Sequence, residues 1–465
     1  MKLTRKQVLA GAAGVAALGS AGIYELVDQL SSSPSRRAVA PPKPPPEQHL
    51  LPGLREVTDN GVEVVVPPLH HQVVTAKLRT AEVAKELRAA QAELAYALHA
   101  LEQEFAPSPT GLGITVAWGL PYFRRFVPHQ AARHLPHDRR AGKSALLEAI
   151  RFPSDPEETV LEQNDVAFLL RSDALEHIQI AAKSLFHELN IFDVTSIRRG
   201  FAGGGFDGGR SLPKKMAVAA GIPGADLIPD TSELFLGFTS TQKAGLGPGK
   251  IANLETLGYA DLRGGYFLNG THMHLSHIHE DVEAWYLNFD FRERVDTAFR
   301  PNLPVEPGTQ TVPQGPADVS TADEVRRDFK LTGRIGHSAS IQSTSRLLGD
   351  AVGPDGTVYT KGAAIPQRAD FNTLDNPFAW SKTPQRDGMG TGPAAGVHFV
   401  VFNPTSDDFH RNRLAMDGVL PGGKIPFVPR ARGQGFNAVL RTTHRQNFLV
   451  PPRRHRSFPL AELEA

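Results

Sequence analysis

Apolar residues recur at spacings of seven, four, three and four through Leu87, Leu94, Leu98, Leu101 and Phe105, with Lys, Arg, Glu and Gln between them. That period predicts one long amphipathic helix over 72–105. The pattern then changes. Residues 113–118 read as a strand, and 165–171 as a second strand running into a helix at 174–189. Asn190 ends that helix, and 191–201 is extended again. The carboxy-terminal half repeats this grammar: a strand at 266–276, a helix from about 280, an apolar strand at 396–402, a helix at 406–416, and a closing strand at 447–450. Two passes of strand–helix–strand with short, mixed connections predict an α+β protein of two ferredoxin-like domains, with antiparallel sheets and flanking helices.

The chain's start follows another rule. Lys2, Arg5 and Lys6 precede a weakly apolar run over 8–23, the order of an export signal. Thr4-Arg5-Lys6-Gln7-Val8-Leu9 resembles the twin-arginine motif, with Lys in place of the second Arg, and implies the twin-arginine export machinery as a partner. The expected location is therefore outside the cytoplasm: periplasm, cell envelope or medium. At 16 residues the run is short for a spanning helix, so any membrane anchoring is expected only through this segment. Residues 31–50 hold Pro41, Pro42, Pro44, Pro45 and Pro46 and read as an extended spacer. The expected division is 1–30 signal, 31–50 linker, 51–260 first ferredoxin-like domain and 261–465 second.

Composition narrows the chemistry. Among 465 residues, 50 Lys and Arg meet 49 Asp and Glu, so no overall field would recruit nucleic acid. There is no cysteine, which removes disulfides, thiolate nucleophiles, iron–sulfur ligation and covalent c-type haem attachment. Gly245-Leu246-Gly247-Pro248-Gly249-Lys250 lacks the loop length and the Ser/Thr of a phosphate-binding loop. No Gly-x-Ser-x-Gly elbow supports a hydrolase. The sequence leaves the oligomeric state open.

Gly204-Gly205-Phe206-Asp207-Gly208 follows a predicted strand and puts one carboxylate on a Gly-flanked turn, where backbone can approach a flat ligand closely. Taken alone it also reads as a turn Asp capping its own loop. The segment resembles the GxxDG motif of dye-decolourising (DyP-type) haem peroxidases, and further segments resemble that family in the same order over about residues 110–455. Gly333-Arg334-Ile335-Gly336-His337 resembles the stretch with the proximal His, and Ile365-Pro366-Gln367-Arg368 the stretch with the distal Arg. The resemblance implies a fold of the dimeric α+β barrel type and a noncovalent haem b. It implies His337 as axial iron ligand, with Gly204, Phe206 and Gly208 in the binding loop, and Asp207 and Arg368 as catalytic residues. Asp407 and Asp408 are candidate acceptors behind His337. The implied reaction reduces hydrogen peroxide and oxidises a small phenolic, dye-like or porphyrin-type donor. Its electrons would pass by surface aromatics such as Trp285, Tyr286 or Trp380. The chain departs from the family pattern in two places. His337-Ser338-Ala339-Ser340 replaces the usual His-Ile-Arg, and the family's distal Arg commonly stands where this chain has Gln367.

A second cluster, His272-Met273-His274-Leu275-Ser276-His277-Ile278-His279, offers an alternative. Residues two apart on a strand share a face, so His272 and His274, joined by His279, form a candidate zinc or copper site. The same segment also reads as the polar face of a structural strand. With a metal here, or with haem but no peroxide cycle, the protein would be an envelope binding protein on the same fold.

Overall fold

The computed structural model describes residues 22–31, 43–59, 62–203, 211–238, 257–308, 310, 319–354, 356–376 and 392–464. In the first half β1 (His70–Leu78), α1 (Ala84–Glu104), β2 (Gly113–Gly119), β3 (Val166–Ser172), α2 (Leu175–Lys183) and β4 (Phe192–Phe201) follow one another. The helix predicted from residue 72 starts at Ala84. Val73, Val74 and Thr75 are β-branched and buried, and they pair with strands on both sides, which holds 70–78 extended.

The second half carries β5 (Thr271–Glu280), α3 (Val282–Asn288), α4 (His337–Ser345), β6 (Phe371–Thr373), β7 (Gly396–Asn403), α5 (Ser406–Met416) and β8 (Leu440–Val450). Each half places its strands in the same order: β4-β1-β3-β2 in the first and β8-β5-β7-β6 in the second, all antiparallel. Fourth–first–third–second is the ferredoxin-like order expected from the sequence pattern.

Two seams join the halves edge to edge. Phe448 pairs with Gly119 and Leu449 with Trp118 on one side, and Asn372 with Phe201 on the other. The eight strands thereby close into a ring, a barrel without a free edge among them. At the thinner seam the chains touch so closely that a Cβ on Gly200 would lie 2.1 Å from the Asn372 carbonyl oxygen. Only glycine fits there. Val73, Leu169, Leu275, Val400, Phe402 and Phe448 fill the barrel interior. Outside the first half, Leu87, Leu94, Leu98 and Leu101 of α1 pack on Ile114, Val116, Phe168 and Leu170.

The folded body reaches further towards the amino terminus than Leu51. Gln48 is buried, donating to the Val116 and Pro451 carbonyls and accepting from the Val116 N–H, each at 2.8 Å. Ile23, Tyr24 and Val27 are buried against Phe201, Met216 and Leu374. The Tyr24 hydroxyl donates to Asp375 Oδ1 at 2.8 Å and accepts from the Leu374 N–H at 3.0 Å. Asp28 meets the His70 ring at 2.8 Å. Part of the segment assigned to signal and spacer is thus seated on the thin seam. No helix among the described residues is long and apolar enough to cross a membrane.

Candidate functional site

The outer face of the second half is hollow. A cavity of about 280 Å³ lies between its sheet and helices α4 and α5. Strand alternation decides which residues reach it: Ser276, Ile278 and Glu280 from β5, and Val397, Phe399 and Val401 from β7. Their neighbours Leu275, Val400 and Phe402 point into the barrel.

His337 opens α4 and lines the cavity. The residue before it is a required glycine, since a Cβ on Gly336 would sit 2.1 Å from the Phe299 carbonyl oxygen. That close approach, with the left-handed Gly333 at φ 68° ending the preceding helix, fixes where the imidazole enters. The ring packs 4.7 Å from Phe436. Among the described residues its Nδ1 is buried without a hydrogen-bond partner, which leaves Nε2 as the nitrogen open to the cavity. Burial, with the Arg368 and Arg413 guanidiniums nearby, pulls the His337 pKa down to about 3, so the imidazole is neutral.

The acceptors expected behind His337 are engaged elsewhere. Asp408 takes the Thr405 N–H at 3.0 Å, Arg140 at 2.8 Å and the Tyr259 hydroxyl at 3.1 Å. Asp407 pairs with Lys143 at 2.7 Å. Neither carboxylate bonds the ring.

Arg368 faces the same cavity. It pairs with Val401 in the sheet and lines the cavity with Pro366 and Asp370, two positions away on either side. Asp370 accepts from its Nε at 2.9 Å and from its terminal nitrogen at 2.7 Å, and holds its pKa above the ordinary range. About 40% of the side chain stays accessible, on the cavity side. Asp207, Gly204, Phe206 and Gly208 lie outside the described residues, as does Trp380. Trp285 is fully buried, donating its indole N–H to the Leu236 carbonyl at 2.8 Å, so it is no surface relay.

The histidine cluster is dispersed. His272 and His274 do share a face, but their rings are held by protein. His272 Nδ1 meets the Pro404 carbonyl at 2.8 Å, and His274 bonds Asn447 and Ser276 at 2.6 Å each while stacking on Phe409. His279 falls on the other face of β5. Among the described residues no group of three or more His, Cys, Asp or Glu could hold a metal ion, which corrects the zinc or copper alternative.

Two further cavity residues escaped the sequence motifs. Arg346, just past the end of α4, has no carboxylate partner among the described residues, and burial beside Arg368 pulls its pKa down to about 10. Glu280 ends β5 with 6% of its surface exposed and Oε2 buried without a partner. Burial, with the Asp370 carboxylate near, pushes its pKa up to about 8. At neutral pH it is a carboxylic acid.

Residues 68–452 match the model of a family of unknown function, DUF7405. No curated protein matches the sequence. Among solved structures, the chain is similar to DtpA from Streptomyces lividans, described as an oxyferrous complex, at 14% identity and a TM-score of 0.47, covering 83% of this chain and 89% of that one. It is similar to DyPB from Rhodococcus jostii RHA1 at 12% identity and a TM-score of 0.45, covering 85% and 96%. A dye-decolorizing protein from V. cholerae matches at 12% identity and a TM-score of 0.44, covering 85% and 97%.

Proposed function

The chain belongs to DUF7405, a family of unknown function, and on that footing we propose that it is an exported haem protein that reduces hydrogen peroxide and oxidises a small donor. One observation carries this reading: a neutral imidazole, His337, whose unbonded ring nitrogen opens onto the large, mostly apolar cavity of the second half.

The residues present suit the group. Without cysteine the axial ligand has to be His, and His337 offers Nε2 in the unprotonated state a metal requires. Apolar walls such as Ile278, Phe299 and Phe436 suit a flat macrocycle, and Arg346, without a carboxylate partner, suits one of its acidic substituents. Haem b bound here would supply the electron exchange with peroxide. Arg368, held in place by Asp370, would fix a permanent positive charge where negative charge develops on oxygen. Asp207, the GxxDG carboxylate, is the proposed proton acceptor. The apolar lining keeps water out and strengthens each of these fields.

A second reading keeps haem and drops the peroxide cycle. The absence of an acceptor on His337 Nδ1 among the described residues, together with the tight Arg368–Asp370 pair, favours it. The visible spectrum of the full chain supplied with haem, beside His337→Ala, tests the first step. A Soret band that the variant loses supports axial ligation, and a colourless wild type overturns the haem reading. Loss of peroxide consumption in Asp207→Ala, with the Soret band intact, then selects the peroxidase; equal rates select the second reading. Mass measurement of the chain recovered from the cell envelope tests export.

A further inference from the structure

Glu280 has no structural employment. Its backbone belongs to the sheet, pairing with Leu440, and its N–H donates to the Ala395 carbonyl. The carboxyl group does nothing comparable. Among the described residues Oε2 is sealed from solvent without a partner, and Oε1 makes no hydrogen bond but opens on the cavity. A buried polar group left this way costs about 1–3 kcal/mol, and folded proteins rarely carry one without a use for it.

The surroundings indicate what would complete it. The cavity is lined by Arg346, Arg368, Arg413 and Arg445 with Asp155 and Asp370, and Asp417 also pairs with Arg413 at 2.8 Å. Asp155 is shared by Arg413 and Arg445, at 3.3 and 2.7 Å, and Asp370 is taken by Arg368. Among the described residues Arg346 has no acidic partner, so their charges leave the cavity net positive, a field that draws anions. The charged and titratable groups acting on Glu280 are Asp370, paired with Arg368, and Tyr286 on α3, while His337 at the start of α4 and Arg346 just after its end line the same cavity. The Tyr286 hydroxyl is spent on the Phe235 carbonyl at 2.9 Å, and His337 is neutral.

We propose that Glu280 is a ligand-binding residue: an uncharged carboxyl that donates a hydrogen bond to an anionic oxygen of an apolar, acidic molecule drawn into this cavity by its arginines. A porphyrin with carboxylate arms belongs to this class, and here the inference rests on the haem reading for its choice of probe. No bond changes in the step. The acid proton is shared with the ligand oxygen, and the ligand's negative charge faces Arg346 and Arg368. An ionised Glu280 would repel the same oxygen, so binding weakens where the acid ionises.

The test uses the full chain, titrated with haem and separately with haem dimethyl ester, in wild type, Glu280→Gln and Glu280→Ala. Gln keeps a donor and cannot ionise. Wild type should bind haem well at pH 6–7 and lose affinity above about pH 8. Glu280→Gln should hold its affinity across that range, and Glu280→Ala should bind roughly ten- to a hundredfold more weakly. The dimethyl ester, which lacks anionic oxygens, should respond less to either substitution. Equal haem affinity in all three proteins overturns the proposal. Infrared difference spectra of the ligand-free proteins decide it whether or not haem binds: a protonated-carboxyl stretch at pH 7 that Glu280→Gln removes supports it, and an ionised Glu280 at pH 7 overturns it. A wild type that shows this stretch but binds neither porphyrin overturns the haem reading and leaves Glu280 as the neutral donor for another acidic ligand.

Discussion

Two halves with one strand order have been used in opposite ways. In the first, the outer face of the sheet is covered by α1, whose Leu87, Leu94, Leu98 and Leu101 fill the space above Ile114, Val116, Phe168 and Leu170. In the second, the corresponding face is roofed by α4 and α5 and remains hollow, with His337, Arg368 and Glu280 turned into the gap. Both sheets satisfy their backbone equally well, and what differs is the roof. A long amphipathic helix leaves no room for a ligand. A nine-residue helix rich in Ser and entered through a glycine-bounded turn leaves a cavity and aims a histidine at it. The filled half spends its outer face on apolar packing, and the hollow one leaves polar side chains open to a cavity.

The contrast is broken most sharply by one substitution in each roof. Leu94→Ala should cost about 3 kcal/mol in denaturant unfolding, since Leu94 is fully buried in dense packing. Gly336→Ala comes next, at about 2 kcal/mol, because its Cβ must displace the Phe299 carbonyl. Its particular signature is a haem affinity that falls further than the folding midpoint alone implies.

The pH dependence should divide along the same line. His337, with a folded pKa of about 3 against 6.5 unfolded, favours the native state above pH 6.5, and that benefit is lost as pH falls towards 3. His337→Gln should remove a slope of up to about 1.4 kcal/mol per pH unit in this window. Glu280 has the opposite sign. Its folded pKa of about 8 against 4.5 unfolded makes stability decline as pH rises from 4.5 to 8, and Glu280→Gln should flatten that limb in melting curves taken across the range. If neither substitution changes the profile, the hollow half is not the source of the pH sensitivity. The smallest effect is expected from Ile341→Ala, below about 1 kcal/mol, since this side chain already borders empty space.

Sequence periodicity gave the repeated halves because helices and half-buried strands each impose their own period. It misread 72–78, where Val73, Val74 and Thr75 extend a strand whose alternation is hidden by burial on both faces. Local motifs picked out His337 and Arg368, and both line the cavity, whereas Gln367 does not. Glu280 could have been found, since it continues the face of His272, His274 and Ser276 by the same period of two. Its isolation could not, because that depends on Asp370, ninety positions later, being committed to Arg368. The histidine cluster misled for the same reason. Pro404, Asn447 and Phe409 hold its rings, and all three are distant in sequence.

Tyr24 sits on the thin seam, its hydroxyl bonded to Asp375 and to the backbone of Leu374, one strand-end away from the only strand pair that joins β6 to β4 among the described residues. The short segment from Ile23 to Ser31 therefore acts as a clasp on that join, and severing the chain just after Tyr24 would lower the barrel's resistance to unfolding.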